Sequence, residues 1–515
     1  MSSFDHHKYR WWTLACLVLS LLIISFDVTV LNVALPTLSK ELDAGTNELQ
    51  WIMDSYLLVF SVLLLPAGSL GDRFGRKKML FIGLIIFAIT SLVAGFARTT
   101  DVLIVARAFM GVGGAIIMPL TFSILPTVFT PQEARKASAI WSASSGVGLL
   151  VGPLLGGFLI EKFSWGSIFF INVPIIAVVL IAGYFLIPES KNEKAHRIDW
   201  LSMLLSCIGL GSLVYGIIES SRLGWGSLQV ILTLCAGTLF IALFIVRQKF
   251  AKEPMVNLSL FKHPLFTWAT LAVCVIMFVL NGLLFFLTQY LQFTLDSNAY
   301  ETGLRLIPFM AGMIVASLFS VRVASKLGTK WAIATGLLIM GIGLFLLSTI
   351  DVQDSYGFVA IYLVIQGVGF GLALSPCMSA VMESLPRTEV GIGSAVNNTL
   401  RQVSSALGVA VLGTLISIKY QNGINKVISD VPSQYVDYIT NSIGTATKAA
   451  YTMDESIRSS ILARINVAYI DGMDYTLKIS SALLILCAVL IVVVLPKPLG
   501  VKSKEKAESH GPING

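Results

Sequence analysis

Charge is scarce in this sequence. Only 13% of its 515 residues are Asp, Glu, Lys or Arg, about half the share of a soluble chain. Too little polar surface remains to cover a water-facing globule, so the composition argues against a large soluble protein. Paired cysteines are missing too. Cys16, Cys207, Cys235, Cys274, Cys377 and Cys487 each stand alone in an apolar stretch, with no CxxC among them. Metal and disulfide chemistry are therefore not expected, and the thiols read as small core residues. Neither GxxxxGKS nor GxxxxGKT occurs, which counts against a nucleotide-driven pump. No polar linker divides the chain before residue 419; it reads as one membrane domain.

What is abundant is apolar. Hydrophobic residues make up 55% of the chain, and the mean hydropathy is +0.81. A hydrocarbon core about 30 Å thick takes about 20 apolar residues per helix. Fourteen segments qualify: 13–35, 51–70, 79–97, 102–125, 138–160, 167–187, 200–219, 227–246, 267–290, 303–321, 331–349, 356–382, 391–418 and 478–495. The first follows a short basic end, as in a signal peptide, but it is too long for one and carries an acid, so it is expected to be a retained span. An even count puts both termini on one side. With that side cytoplasmic, the inner segments hold 23 Lys and Arg residues, against five in the short outer loops. This imbalance fixes the expected orientation. The net charge of +7 is then an orientation signal, and no nucleic-acid partner is expected. Residues 419–477 are polar and fall outside, compatible with a small cap, a hairpin or disorder alike. The tail from Val501 reads as disordered.

The chain also repeats itself. GDRFGRKKMLFIGL at 71–84 lies over ASKLGTKWAIATGL at 324–337, matching Gly75 with Gly328, Lys77 with Lys330 and Gly83 with Gly336. Further on, Gly111-Val112-Gly113 answers Gly367-Val368-Gly369. Two six-helix units with two helices inserted between them account for the count, and paired units with a substrate site between them are a transporter architecture. The expected organisation is a cytoplasmic N-terminus (1–12), a first bundle (13–190), the inserted pair (191–262), a second bundle (263–500) and a cytoplasmic tail (501–515).

Several motifs carry a family resemblance. Gly68-Ser69-Leu70-Gly71-Asp72-Arg73-Phe74-Gly75-Arg76-Lys77-Lys78 resembles the signature loop after the second helix of the major facilitator superfamily. Arg107 with Gly111, Gly113 and Gly114 is similar to its fourth-helix motif. Gly146, Gly148, Gly152-Pro153 and Gly156-Gly157 resemble the fifth-helix motif of its antiporters. Asp27-Val28-Thr29, Asn32 and Ala34-Leu35-Pro36 resemble the first helix of the fourteen-helix drug:proton antiporters, as Trp165 and Phe170-Ile171-Asn172-Val173-Pro174 do at the sixth. The resemblance spans 10–500. It implies an all-α polytopic fold, a multidrug exporter in a bacterial cytoplasmic membrane, and a monomer. It also implies that the loop at Gly68, Asp72, Arg73, Gly75 and Arg76 latches the two halves, and that Gly148, Gly152, Pro153, Gly156 and Gly157 form a hinge favouring export.

The residues have physical readings of their own. Glycines permit a tight turn at 68–78, and its basic cluster suits an anionic inner leaflet. A plain positive-inside turn is the simpler alternative. The fifth-helix glycines permit close helix packing in any case. Ionisable residues inside spans are costly and so are functional candidates. Asp27 is fourteen residues into the first span, and Arg107 five into the oppositely running fourth. At about 1.5 Å per residue both lie about 21–22 Å from the inner face, which permits a pair. Asp27 would exchange the proton, or the pair would be a static bridge. Asp54, near the outer end of the second span, is a solvated helix-end acid or a proton relay to Asp27.

Arg401 with Asn397, Asn398 and Gln402 forms a polar stripe at i, i+3/i+4 spacing, with Asn281 and Gln289 as partners on another helix. It serves as substrate contact or as interhelical glue. Trp51, Tyr56, Trp141, Phe278, Phe285 and Phe286 are pocket candidates, though most such aromatics pack or lie at the interface. Met313 and Asn397-Asn398 stand where the resemblance to quaternary-ammonium exporters implies extra membrane acids, so neutral, zwitterionic or singly charged amphiphiles fit better. The expected function is proton-coupled efflux of small lipophilic compounds, with a dedicated exporter of one metabolite, peptide, siderophore or lipid as the alternative. A non-transporting sensor is the third reading. No enzyme activity, cofactor or metal is expected; the expected partners are substrate, protons and membrane lipid.

Overall fold

The computed structural model describes residues 8–42, 44, 46–191, 199–251, 254–351, 354–385, 390–425, 433–441 and 443–495. The tail from Val501 lies outside these, as do the side chains of Asn32, Leu35, Pro36 and Pro153. The described residues are helical, with no strand among them. In chain order the helices are α1 (Arg10–Glu41), α2 (Thr46–Phe74), α3 (Arg76–Gly95), α4 (Thr100–Val128), α5 (Pro131–Lys162), α6 (Ser167–Phe170), α7 (Asn172–Leu186), α8 (Trp200–Leu223) and α9 (Leu228–Phe250). Then come α10 (Pro264–Gln289), α11 (Ala299–Arg305), α12 (Ile307–Leu327), α13 (Thr329–Leu347), α14 (Tyr356–Ser384), α15 (Val390–Asn425), α16 (Val436–Asn441), α17 (Ile443–Tyr451) and α18 (Glu455–Val494). Thirteen candidate membrane spans stand among the described residues, and α5 contains the segment expected at 138–160. The chain is a multi-pass membrane protein.

Local chemistry sets the helix ends. Thr130 caps α5 through a capping box with Glu133, satisfying amides that have no partner inside the helix. Arg10 donates to the same carboxylate at 2.7 Å, tying the start of α1 to the start of α5.

The stretch 419–477 resolves largely into helix. α15 runs on to Asn425, α18 begins at Glu455, and the short α16 and α17 lie between them. Counting apolar residues misses the first half of α18 because its apolar face is a narrow stripe. Ile461, Ile465, Ala468, Tyr469 and Met473 are buried at three- and four-residue steps, the spacing of one helix face. Tyr420 donates to the Ile439 carbonyl at 2.8 Å, and Tyr469 to that of Phe286 at 2.8 Å. These bonds hold the cap against α10 and α15.

The glycine echoes of the sequence are packing contacts. Gly75 and Gly328 both turn the chain at positive φ, 106° and 89°, where a β-carbon is strained. A β-carbon on Gly113 of α4 would stand 2.9 Å from the Gly83 carbonyl of α3; one on Gly369 of α14 would stand 2.8 Å from the Gly336 carbonyl of α13. Likewise Gly111 lies against the Tyr56 carbonyl of α2, and Gly367 against the Phe309 carbonyl of α12. The pairings α1–α5, α2–α4 and α3–α4 recur as α10–α15, α12–α14 and α13–α14. Contacts between the two sets run through α5 to α12 and α14, and through α2 and α4 to α15. Helix α8 packs on both α2 and α15.

Candidate functional site

Two buried charges meet at the centre of the first helix set. Asp27 on α1 and Arg107 on α4 are both almost fully buried, and Arg107 Nη1 donates to Asp27 Oδ2. Arg107 Nε donates to the Ile52 carbonyl at 3.2 Å. Its guanidinium also lies over the Tyr56 ring, 4.4 Å from the centroid. Three different contacts thus hold one fork, which a lysine could not reproduce. Asp27 Oδ1 has no hydrogen-bond partner, so the carboxylate keeps one free oxygen in an apolar setting.

Beside the pair lies a cavity of about 660 Å³, within the range that suits a drug-sized molecule. Ser25, Val28, Asp54 and Tyr56 line one side; Asn281, Arg401, Gln402 and Ser405 line the other. Asn281 Nδ2 donates to Ser405 Oγ at 3.0 Å, binding α10 to α15. Val214, Ile217 and Ile218 of α8 complete the wall. Just beyond the end of α8, Trp225 Nε1 donates to Thr414 Oγ1 of α15 at 3.0 Å. The cavity is closed toward the face where α1 begins. There Leu65 of α2 is buried with Phe266, Val390 and Val396, and Ser394 Oγ donates to the Pro119 carbonyl at 3.1 Å.

The remaining polar candidates separate by height. Gln289 lines a second cavity of about 110 Å³ with Tyr420, Ile443 and Tyr469. Asn397 and Asn398, one turn before Arg401 and Gln402, are fully buried and do not line either cavity. Asn397 Nδ2 reaches only Met378 Sδ, at 3.6 Å, and both amide atoms of Asn398 lack partners. Among the aromatics, Tyr56 and Phe285 line the large cavity. Phe286 lines the small one. Trp141 is core, donating to Thr121 Oγ1 at 3.3 Å, and Trp51 packs with Tyr215 at 6.2 Å between ring centroids.

The glycine face of α5 lies on α1. β-Carbons at Gly148, Gly152 and Gly156 would stand 2.2 Å from Ser25 Cβ, 1.9 Å from Thr29 Oγ1 and 2.4 Å from Val30 Cγ2. In the 68–78 loop, Arg76 Nη2 donates to Asp72 Oδ1 at 2.7 Å, both side chains being buried. Arg76 Nη1 reaches the Ser123 carbonyl of α4 at 3.2 Å. Gly68 is buried and Arg73 half-buried. Gly157, half-buried, follows Gly156 on α5.

Sequence reasoning missed two acids. Glu189 accepts from the backbone N–H groups of Lys77 at 3.1 Å and Lys78 at 3.2 Å, capping α3; nothing local to Glu189 signals a partner more than a hundred residues away. Glu219 is buried in α8, and its place at the end of an apolar segment was a readable signal.

The model of the major facilitator superfamily matches residues 17–409. The chain belongs to the major facilitator superfamily. It is 32% identical over 483 residues to the multidrug efflux pump LfrA of Mycolicibacterium smegmatis, covering 94% of this chain and 95% of that protein. It is 31% identical over 490 residues to the methyl viologen resistance protein SmvA of Salmonella typhimurium, covering 93% and 97%. The fold matches the crystal structure of the human organic anion transporter MFSD10 with a TM-score of 0.64 at 13% identity, covering 93% of this chain and 98% of that one.

Proposed function

We propose that this protein is an exporter of the bacterial cell membrane that exchanges small lipophilic or amphiphilic compounds for protons by alternating access. The observation carrying the proton step is Asp27: a buried carboxylate with one oxygen on Arg107, one without a partner, and flanking residues that line the cavity. A proton arriving from outside occupies Asp27 and loosens its hold on Arg107. The bundles then rearrange, and the proton leaves on the inner side as cargo enters. Asp54, on the cavity wall, serves as the outer relay. The names of the relatives, an efflux pump and a resistance protein, support export.

The rest of the reading follows. Counting α5, fourteen helices span the membrane as two bundles (13–190 and 263–500) with the pair in 191–262 between them. Both termini are cytoplasmic, so the closed face is the inner one and the cavity faces outward. The 68–78 loop is the latch, the α5 glycines are the hinge, and one chain suffices. The polar wall of Asn281, Arg401 and Gln402 favours a second reading, export of one dedicated compound.

Purified protein in liposomes, given a pH gradient and a panel of dyes and drugs, tests both readings. Gradient-driven movement of many compounds, lost in Asp27→Asn, is the expected result. Undiminished coupling in Asp27→Asn removes the proton assignment, and movement of a single compound selects the dedicated exporter.

A further inference from the structure

Arg401 is a cation without a counter-ion. It stands on α15 in the wall of the large cavity, and no carboxylate pairs with it among the described residues. Among the described residues its side-chain hydrogen bonding is confined to Nη2 and Met118 Sδ at 4.0 Å, a distance and acceptor that neutralise nothing. Arginine cannot shed its proton in a protein, so this is a permanent positive charge. At mid-membrane depth such a charge is costly unless it is paired or faces a water-filled space. The other central arginine, Arg107, satisfies that demand with Asp27. Arg401 has no equivalent, and it stands in the wall of the space that cargo would occupy.

We propose that Arg401 is the recognition site for an acidic group on the cargo, a carboxylate or a comparably planar anion, carried on an otherwise lipophilic body. This rests on the export reading above and narrows its substrate class. The guanidinium offers paired N–H donors that match a carboxylate edge to edge. Asn281 and Gln402, on the same wall, supply neutral hydrogen-bonding groups at its flanks. Val214, Ile217 and Phe285 supply the apolar surface for the remainder. Asp54 lines the same cavity, so a cargo with an acidic and a basic end is accepted with the acid at Arg401. A purely cationic cargo gains nothing from Arg401 and is repelled by it.

The test is direct binding to the full-length protein in detergent, using matched pairs of aromatic acids and their primary amides. A neutral lipophilic dye serves as reference. Charge-assisted hydrogen bonds predict that wild type binds each acid about tenfold or more tightly than its amide. In Arg401→Gln the preference should collapse to within about twofold, with amide and dye binding kept, and Arg401→Lys should retain part of it. Equal binding of acid and amide by wild type overturns the proposal without needing a variant. So does a uniform weakening of acid, amide and dye in Arg401→Gln. Dye binding with acid and amide alike excluded refutes the acid site and leaves the exporter; binding of no compound refutes both.

Discussion

Adding one methyl group at Gly152 asks two helices to share space. The new β-carbon would sit 1.9 Å from Thr29 Oγ1, 2.8 Å from Thr29 Cβ and 3.1 Å from the Val30 backbone nitrogen. Rotating Thr29 clears its oxygen but leaves the Cβ and the backbone, so α1 and α5 must part or bend. Overpacking of this kind costs about 1–3 kcal/mol. Separation also breaks the bond from Thr29 Oγ1 to the Gly148 carbonyl, 3.2 Å across the interface, worth about 0.6 kcal/mol in a membrane protein.

Gly152→Ala is therefore expected to melt clearly below wild type in detergent, read by fluorescence-detected size exclusion after heating. Thr29→Ala alone should cost little. Combined with Gly152→Ala it should restore only the smaller part of the loss that is due to the Thr29 oxygen, because alanine keeps the β-carbon 2.8 Å away and leaves the Val30 nitrogen in place, giving a coupling of about 0.5 kcal/mol. A Gly152→Ala protein as stable as wild type would refute the packing argument. Strict additivity with Thr29→Ala would refute the contact assigned to it.

Other outcomes follow from the site. Arg107→Lys keeps the charge beside Asp27 but loses the Ile52 carbonyl bond and the stacking on Tyr56, at a cost of about 1–3 kcal/mol; it should melt lower and transport at least several-fold more slowly, and wild-type rates would show that charge alone suffices. Asn398→Leu removes a buried amide with no partners and should stabilise the closed form by about 1–2 kcal/mol, seen as higher melting with slower turnover; lower melting would mean the amide is satisfied. Ile217→Trp narrows the cavity from the α8 side and should reduce transport of bulky compounds while sparing small ones in a liposome panel; an unchanged size profile would remove α8 from the wall.

The parts of this architecture that were legible in the sequence are those set by local spacing. Gly75 and Gly328 match because each makes the same positive-φ turn, and Gly83 and Gly336 because each admits a glycine of the neighbouring helix. Asp27 and Arg107 were brought together by depth alone, since helix rise converts residue count to height. What stayed illegible depends on neighbours that chain order does not reveal. The stripe from Asn397 to Gln402 has one periodicity, yet the cavity floor cuts across it, leaving Arg401 and Gln402 on the wall and the two asparagines beneath. Periodicity tells which face a residue takes, not where along that face the space begins. The reach of α8 into the wall was hidden for the same reason. Its residues are as apolar as any lipid-facing helix, and only the tertiary arrangement distinguishes the two.

Both members of the Asp27–Arg107 pair belong to the first helix set, on α1 and α4. A rigid rotation of one bundle against the other leaves every distance within a bundle unchanged. The pair therefore travels as a passenger: tilting the halves neither makes nor breaks it, and it cannot act as a clasp between them. Under the proposed exchange, any effect of protonating it would have to leave through the side chains it touches. Tyr56, under the guanidinium, and Val28, next to the acid in the chain, both line the cavity, so under the proposed exchange a proton on Asp27 and cargo would act on a common wall.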